Sequence, residues 1–151
     1  MIIEQKRAAG EILSFLQMIQ GTIDRMATSS AIFKGFAATI VAGVSAISFS
    51  EVNRWILLLS FIPVLCFMLL DVYYLQLERR YRFLYEQVRT NQRVLDYDLR
   101  PPKVREILKI NVNAYVRIWD CVKSSSIVVF YIPIVTISVV VIIMNFGGYL
   151  Q

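Results

Sequence analysis

The chain has 151 residues, 57% of them hydrophobic, and a mean hydropathy of +0.58, against roughly 45–50% apolar residues in an average soluble domain. The excess lies in three runs, which excludes a soluble globule, and the complete lack of His removes the commonest general base and metal ligand. The net charge of +5, from 16 basic and 11 acidic residues, says less than where those charges fall.

Residues 1–30 are expected to form an amphipathic helix. Ile12, Leu16, Ile19, Ile23 and Met26 recur in steps of four and three, while Gln17, Gln20, Asp24 and Arg25 take the other face. The polar face mixes acids and amides with bases, which favours packing on a partner helix over lying in the headgroup plane. The segment has no continuous apolar core, so it does not read as a signal peptide. Thr28-Ser29-Ser30 is expected to cap or kink the chain before a first span at 32–50.

That first span is short in its charge-free part, and Lys34 extends it by snorkelling. Gly35, Thr39 and Gly43 are spaced by four, as are Ala38, Ala42 and Ala46. Small residues at this spacing let helix backbones approach closely. Two uses of the Gly35, Thr39, Gly43, Ala46 face stay open: helix packing, or the lining of a pore.

A tight outer turn at 51–54 leads into a second span at 55–75, opened by the interfacial Trp55 and loosened by Pro63. Asp71 lies at its inner end, followed by Tyr73 and Tyr74. A carboxylate at that depth needs a partner or water. Lys34 and Lys123 are the candidates at the same boundary, which makes Lys34, Asp71 and Lys123 an expected polar site, either a structural ion pair or part of a gate.

No turn signal separates this span from the charged stretch after it. Leu70, Tyr74, Leu77, Tyr81, Leu84, Val88 and Asn91 continue in alternating steps of four and three, a heptad seam. The span is therefore expected to run on as a stalk. Leu77, Tyr81, Leu84, Val88 and Asn91 are an expected oligomer seam, unless the N-terminal and return helices cover it. Glu78 with Arg82, and Arg82 with Glu86, are spaced for ion pairs. Arg79, Arg80 and Arg82 form a basic cluster suited to anionic lipid or another anionic ligand. Pro101 and Pro102 end the stalk, and a return helix over 103–122 completes a helical hairpin at 76–123. The third span lies at 126–146, with Pro133 inside it and Gly147-Gly148 after it.

Eleven of the basic residues lie between Gln76 and Ser125, four in the N-terminal segment and one, Arg54, in the outer turn. The positive-inside rule then puts the N-terminus and the hairpin in the cytoplasm and the C-terminus outside. The expected fold is an all-α membrane protein of three transmembrane helices with a cytoplasmic helical bundle, in a single domain. Cys66 and Cys121 form no metal spacing or disulfide framework. Asp96 and Asp98 read as helix-end residues. No phosphate-binding loop or nucleophile motif is present, so no enzyme, cofactor, metal site or nucleic-acid partner is expected.

Two stretches carry a family resemblance. Ile23-Asp24-Arg25-Met26-Ala27-Thr28-Ser29-Ser30 is followed by Lys34-Gly35 opening a span. Leu70-Asp71-Val72-Tyr73-Tyr74-Leu75 then exits the second span into Glu78-Arg79-Arg80-Tyr81-Arg82-Phe83-Leu84-Tyr85. Over roughly residues 10–95 the chain resembles the small SLATT-type membrane effectors of bacterial anti-phage defence, which have two adjacent spans followed by cytoplasmic helices; the third span is additional to that plan. The resemblance implies a membrane effector that forms pores and stops growth or kills the cell when infection is sensed. The small-residue span, the polar inner boundary and the heptad stalk add the expectation of an inner-membrane homo-oligomer held off by its cytoplasmic helices until a trigger arrives through a cytoplasmic sensor or defence partner. A non-conducting scaffold that recruits a soluble partner is the alternative. Membrane lipids are the partner common to both.

Overall fold

The computed structural model describes residues 2–47, 61–90 and 97–146, and the described residues are helical and without strands. Helix α1 is Ile2–Ile47, α2 Phe61–Arg89, α3 Val104–Ile110, α4 Ile118–Val122 and α5 Ser125–Phe146. Three of them, α1, α2 and α5, are long and apolar enough to cross a membrane, the make-up of a multi-pass membrane protein. The outer turn, Trp55, Asn91, Asp96 and Gly147-Gly148 lie outside the described residues.

Helix α1 is uninterrupted over 46 residues, about 69 Å at 1.5 Å per residue. The Thr28-Ser29-Ser30 stretch, expected as a cap or kink, is instead absorbed into it. Thr28 Oγ1 donates back to the Asp24 carbonyl at 2.9 Å, and Ser30 Oγ donates to the Asp71 carboxylate. Hydroxyls satisfied in these ways leave the helical backbone bonds intact.

Helices α1 and α2 lie antiparallel. Phe15, Ile19 and Ile23 of α1 pack on Leu84 and Val88 of α2 at the stalk end, with Tyr81 and Tyr85 alongside. Farther along, Phe33 stacks near Phe67 with centroids 6.2 Å apart and meets Tyr74 at 5.2 Å. A second core joins Ala37 of α1 and Val64 and Val72 of α2 to Cys121, Ile127, Tyr131 and Ile134. Helix α5 thus closes a three-helix cluster. The seam expected to join copies is covered by the chain's own α1: Leu84 and Val88 are buried there.

Arg82 pairs with Glu78 at 2.7 Å, as the spacing predicts. Glu86 turns instead to Arg89, whose Nε and Nη2 both reach Oε2, at 3.0 and 2.8 Å. Tyr97, in a left-handed backbone conformation, donates to Glu11 Oε2 at 2.9 Å and sits edge-on to Phe15. That bond to a carboxylate holds the phenol above its ordinary pKa.

The return helix expected over 103–122 is two short helices with an irregular break. Asn111 leaves the helical region with φ −135° and ψ 101°, and its Oδ1 accepts from the Asn113 N–H at 3.1 Å. Asn favours such turns because its side chain competes with the backbone for partners. Glu106 and Asp120 each sit at the third position of a helix and accept from a backbone N–H at the helix start, Lys103 at 2.9 Å and Arg117 at 3.3 Å. Two helix starts are thereby fixed where one helix was expected.

Candidate functional site

Ser30 and Lys34 are one helical turn apart on the same face of α1, and both turn toward α2. Lys34 Nζ donates to Ser30 Oγ at 2.8 Å. Ser30 Oγ donates to Asp71 Oδ1, and Lys34 Nζ stands 2.5 Å from Asp71 Oδ2. The Asp71 side chain is 0% exposed and that of Lys34 16%. From α5 the buried Tyr131 packs in the same core as Val72, and its hydroxyl is directed to the Asp71 carboxylate.

The depth of this cluster follows from helix geometry. The 22 residues of α5 span about 33 Å, matching a hydrocarbon core of about 30 Å. Tyr131 lies about 9 Å along that helix from Ser125. With α5 spanning a bilayer, Asp71 and Lys34 form a charge pair inside the apolar slab. An unpaired charge there costs several kcal/mol, so such groups pair with one another and mark functional positions. The pair can hold the helices together, and, if opened, supplies an anion, a cation and a hydroxyl to water at that depth.

Lys123, the other expected partner of Asp71, is exposed at the end of α4 and takes no part in this pair. Gly35, Thr39, Gly43 and Ala46 all face outward from the chain. A Cβ added at Gly35 or Gly43 would meet nothing within 4 Å among the described residues, so at these positions the small-residue face packs against no other described part of the chain.

The basic cluster divides in two. Arg82 is exposed and paired with Glu78. Arg79 and Arg80 turn to the irregular segment instead. Arg79 Nη1 donates to the carbonyls of Tyr115 at 2.7 Å and Asp120 at 3.3 Å. Arg80 donates to the carbonyls of Pro102 and Pro101 at 3.0 and 3.2 Å, and Gln76 donates to that of Val116 at 3.0 Å. A guanidinium with five donors in a fixed fork suits such carbonyls, left free where the helix breaks. Leu77 and Tyr81 are half-buried on the same helix. Cys121 is buried beneath Arg79. Its burial pushes the thiol up, and the nearby guanidinium offsets this in part.

Sequence reasoning missed Ser30, Tyr131 and Gln76. The spacing of Ser30 and Lys34 was a usable signal, because a residue four before an intramembrane Lys shares its face. Tyr131 carried none, since nothing in its neighbourhood tells which face of a Val/Ile-rich helix points inward. No protein-family model, curated protein or solved structure matches the chain.

Proposed function

We propose that the chain is an inner-membrane effector of bacterial anti-phage defence that assembles with copies of itself and permeabilises the membrane when triggered. Its N-terminus and hairpin face the cytoplasm in this reading. The observation that carries it is the outward-facing Gly35, Thr39, Gly43, Ala46 surface on α1. A span surface of small residues with no partner among the described residues favours close approach of another helix. The closed Ser30–Lys34–Asp71 cluster supports an inactive resting state, because the polar groups at depth are spent on one another. A trigger acting on the α1–α2 stalk would reach that cluster through two continuous helices.

Ion flux through the reconstituted full-length protein, with oligomer mass measured on the same sample, tests this reading. Flux from a defined oligomer, weakened by Gly43→Leu and altered by Asp71→Asn, is the expected result. A triggered protein that leaves the membrane potential intact sinks it. The non-conducting scaffold is favoured by a different feature, the groove beside the stalk that the polar Gln87, Asp98, Arg100, Lys103 and Glu106 line together with Pro101, Pro102 and Ile110. A stable complex with a soluble partner and no flux would support the scaffold.

A further inference from the structure

We propose that residues 110–119 form an interfacial anchor, seated in the boundary between headgroups and acyl chains of the leaflet on the stalk side. The inference rests on α5 being a membrane span and not on permeabilisation. Its first support is exposure. Val112, Tyr115 and Trp119 are 73%, 75% and 73% exposed, and Ile110 and Ile118 are exposed beside them. Five large apolar side chains left uncovered within ten residues mark a surface that meets something other than water.

The second support is level. Val116 and Tyr115 are held by Gln76 and Arg79 of α2. Gln76 lies about 7.5 Å along α2 from Asp71. Asp71 faces Tyr131, itself about 9 Å along α5 from Ser125. Two helices thus place the segment within about one turn of the first residue of α5. The exposed apolar side chains thus lie level with the start of the span, at the depth where Trp and Tyr concentrate.

Charge gives the third. Both acids of the segment and its flanks, Glu106 and Asp120, are turned onto the chain's own backbone N–H groups. Lys109, Arg117 and Lys123 are exposed. The outward face is therefore apolar and aromatic, interrupted by the exposed amides of Asn111 and Asn113, with a cationic border, which fits an anionic leaflet. The occupant is lipid. Gln76 and Arg79 take the backbone carbonyls of Val116 and Tyr115 where the irregular segment meets α2, which lowers the cost of seating irregular backbone beside hydrocarbon.

Trp55 and Trp119 are the two tryptophans, so Trp55→Phe in the full-length protein isolates the signal of Trp119. The variant is reconstituted in phosphatidylcholine vesicles with and without phosphatidylglycerol. Phosphatidylcholines brominated near the ester linkage or near the chain ends serve as depth probes, and acrylamide as the aqueous probe. Severalfold stronger quenching by the shallow bromolipid than by the deep one, with little by acrylamide, is expected. Acrylamide quenching equal to that of a free indole overturns the anchor. So does shielding from lipid and water alike, which would assign the face to a protein contact. Lys109→Gln/Arg117→Gln keeps the fluorophore and should reduce the added shallow quenching in phosphatidylglycerol; an unchanged value there refutes the cationic border. Flotation of the same vesicles separates the premises. A protein that does not float loses its span assignment, whereas one that floats with a wet Trp119 loses only the anchor.

Discussion

Lys34 and Asp71, 37 positions apart in the chain, meet at 2.5 Å between two antiparallel helices, with Ser30 bridging them. The pair is worth little as a pair and much as a constraint. Removing one partner from a buried ion pair strands the other charge, at about 3–5 kcal/mol, whereas removing both is often near neutral. Asp71→Asn and Lys34→Met should each lower resistance to denaturation in mixed micelles by an amount on that order. The double variant should recover most of it. Equal losses in all three would mean the contact is a side effect of packing.

The stalk depends on a different contact. Phe15, Ile19 and Leu84 are almost wholly buried between α1 and α2. Leu84→Ala should cost about 2–5 kcal/mol and Phe15→Ala about 3–5, a transfer term plus a cavity. Because the seam is filled by α1, either change should increase amide exchange in both the first turns of α1 and the last turns of α2. If the seam instead joined copies, the loss would depend on protein concentration, and mass measured in detergent over a dilution series decides it.

These two contacts mark how far the sequence was legible. Three long apolar runs with helical periodicity carry their own signal, so the span helices could be read directly. Lys34 with Asp71 was readable as well, because few partners are available to a carboxylate at that depth. The seam was visible as a stripe on α2, but a stripe does not say whose side chains fill it. A heptad pattern is satisfied equally by α1 and by a second copy. The break at residues 111–117 was hidden for another reason. Its helical spacing is adequate, and what overrides it is local: the Asn111 turn and the backbone bonds to Glu106 and Asp120. Arg79 and Arg80 looked like lipid ligands because positive charge near a span end has that use. The carbonyls of Tyr115 and Asp120 around the break are nearer partners for Arg79, and those of Pro101 and Pro102 before the return helix are nearer partners for Arg80.

Arg79 accordingly acts as a clamp. Arg79→Gln loses two charge-assisted bonds to carbonyls, which are worth about 1.5–3 kcal/mol each when a charged group donates. Hydrogen exchange at residues 112–121 should speed up well before any change in α1. Arg79→Lys should not rescue fully, because both bonds leave the terminal Nη1 and a lysine ammonium sits on a side chain one atom shorter. Full rescue by Lys would reduce the role of Arg79 to its charge.

The two thiols report on the same clamp. Cys121 is buried with its thiol pushed up by burial, while Cys66 is exposed on the span face of α2. At neutral pH Cys121 is held as the thiol, and its reactivity should emerge only as pH climbs past the ordinary thiol range near about 8.5. A group whose folded pKa is raised favours the native state below its unfolded pKa and loses that contribution as pH rises through the folded value. A charged maleimide should label neither thiol at pH 7, Cys121 because it is buried and Cys66 because lipid covers it. A membrane-permeant maleimide should label Cys66 first. Arg79→Gln should make Cys121 accessible to the charged reagent, and unchanged protection would detach the thiol from the clamp.

Gly35 and Gly43 separate assembly from folding. Beyond its own helix, neither has a described atom within 4 Å of where a Cβ would stand, so Gly35→Leu meets no steric block from the other described helices. Leu is the better helix former by about 1 kcal/mol in an exposed helix. Stability of the single chain should therefore hold or rise slightly. On the proposed self-assembly, the effect should fall on contacts between copies, where small residues permit close backbone approach and a Leu would force the helices apart. Sedimentation in detergent should show fewer copies per particle at unchanged unfolding midpoint. Gly35→Ala should be nearly silent, since one methyl keeps the surface small. An unchanged copy number in Gly35→Leu, with Gly43→Leu also silent, would mean this face meets lipid rather than another copy, and the assembly would have to be sought on α5.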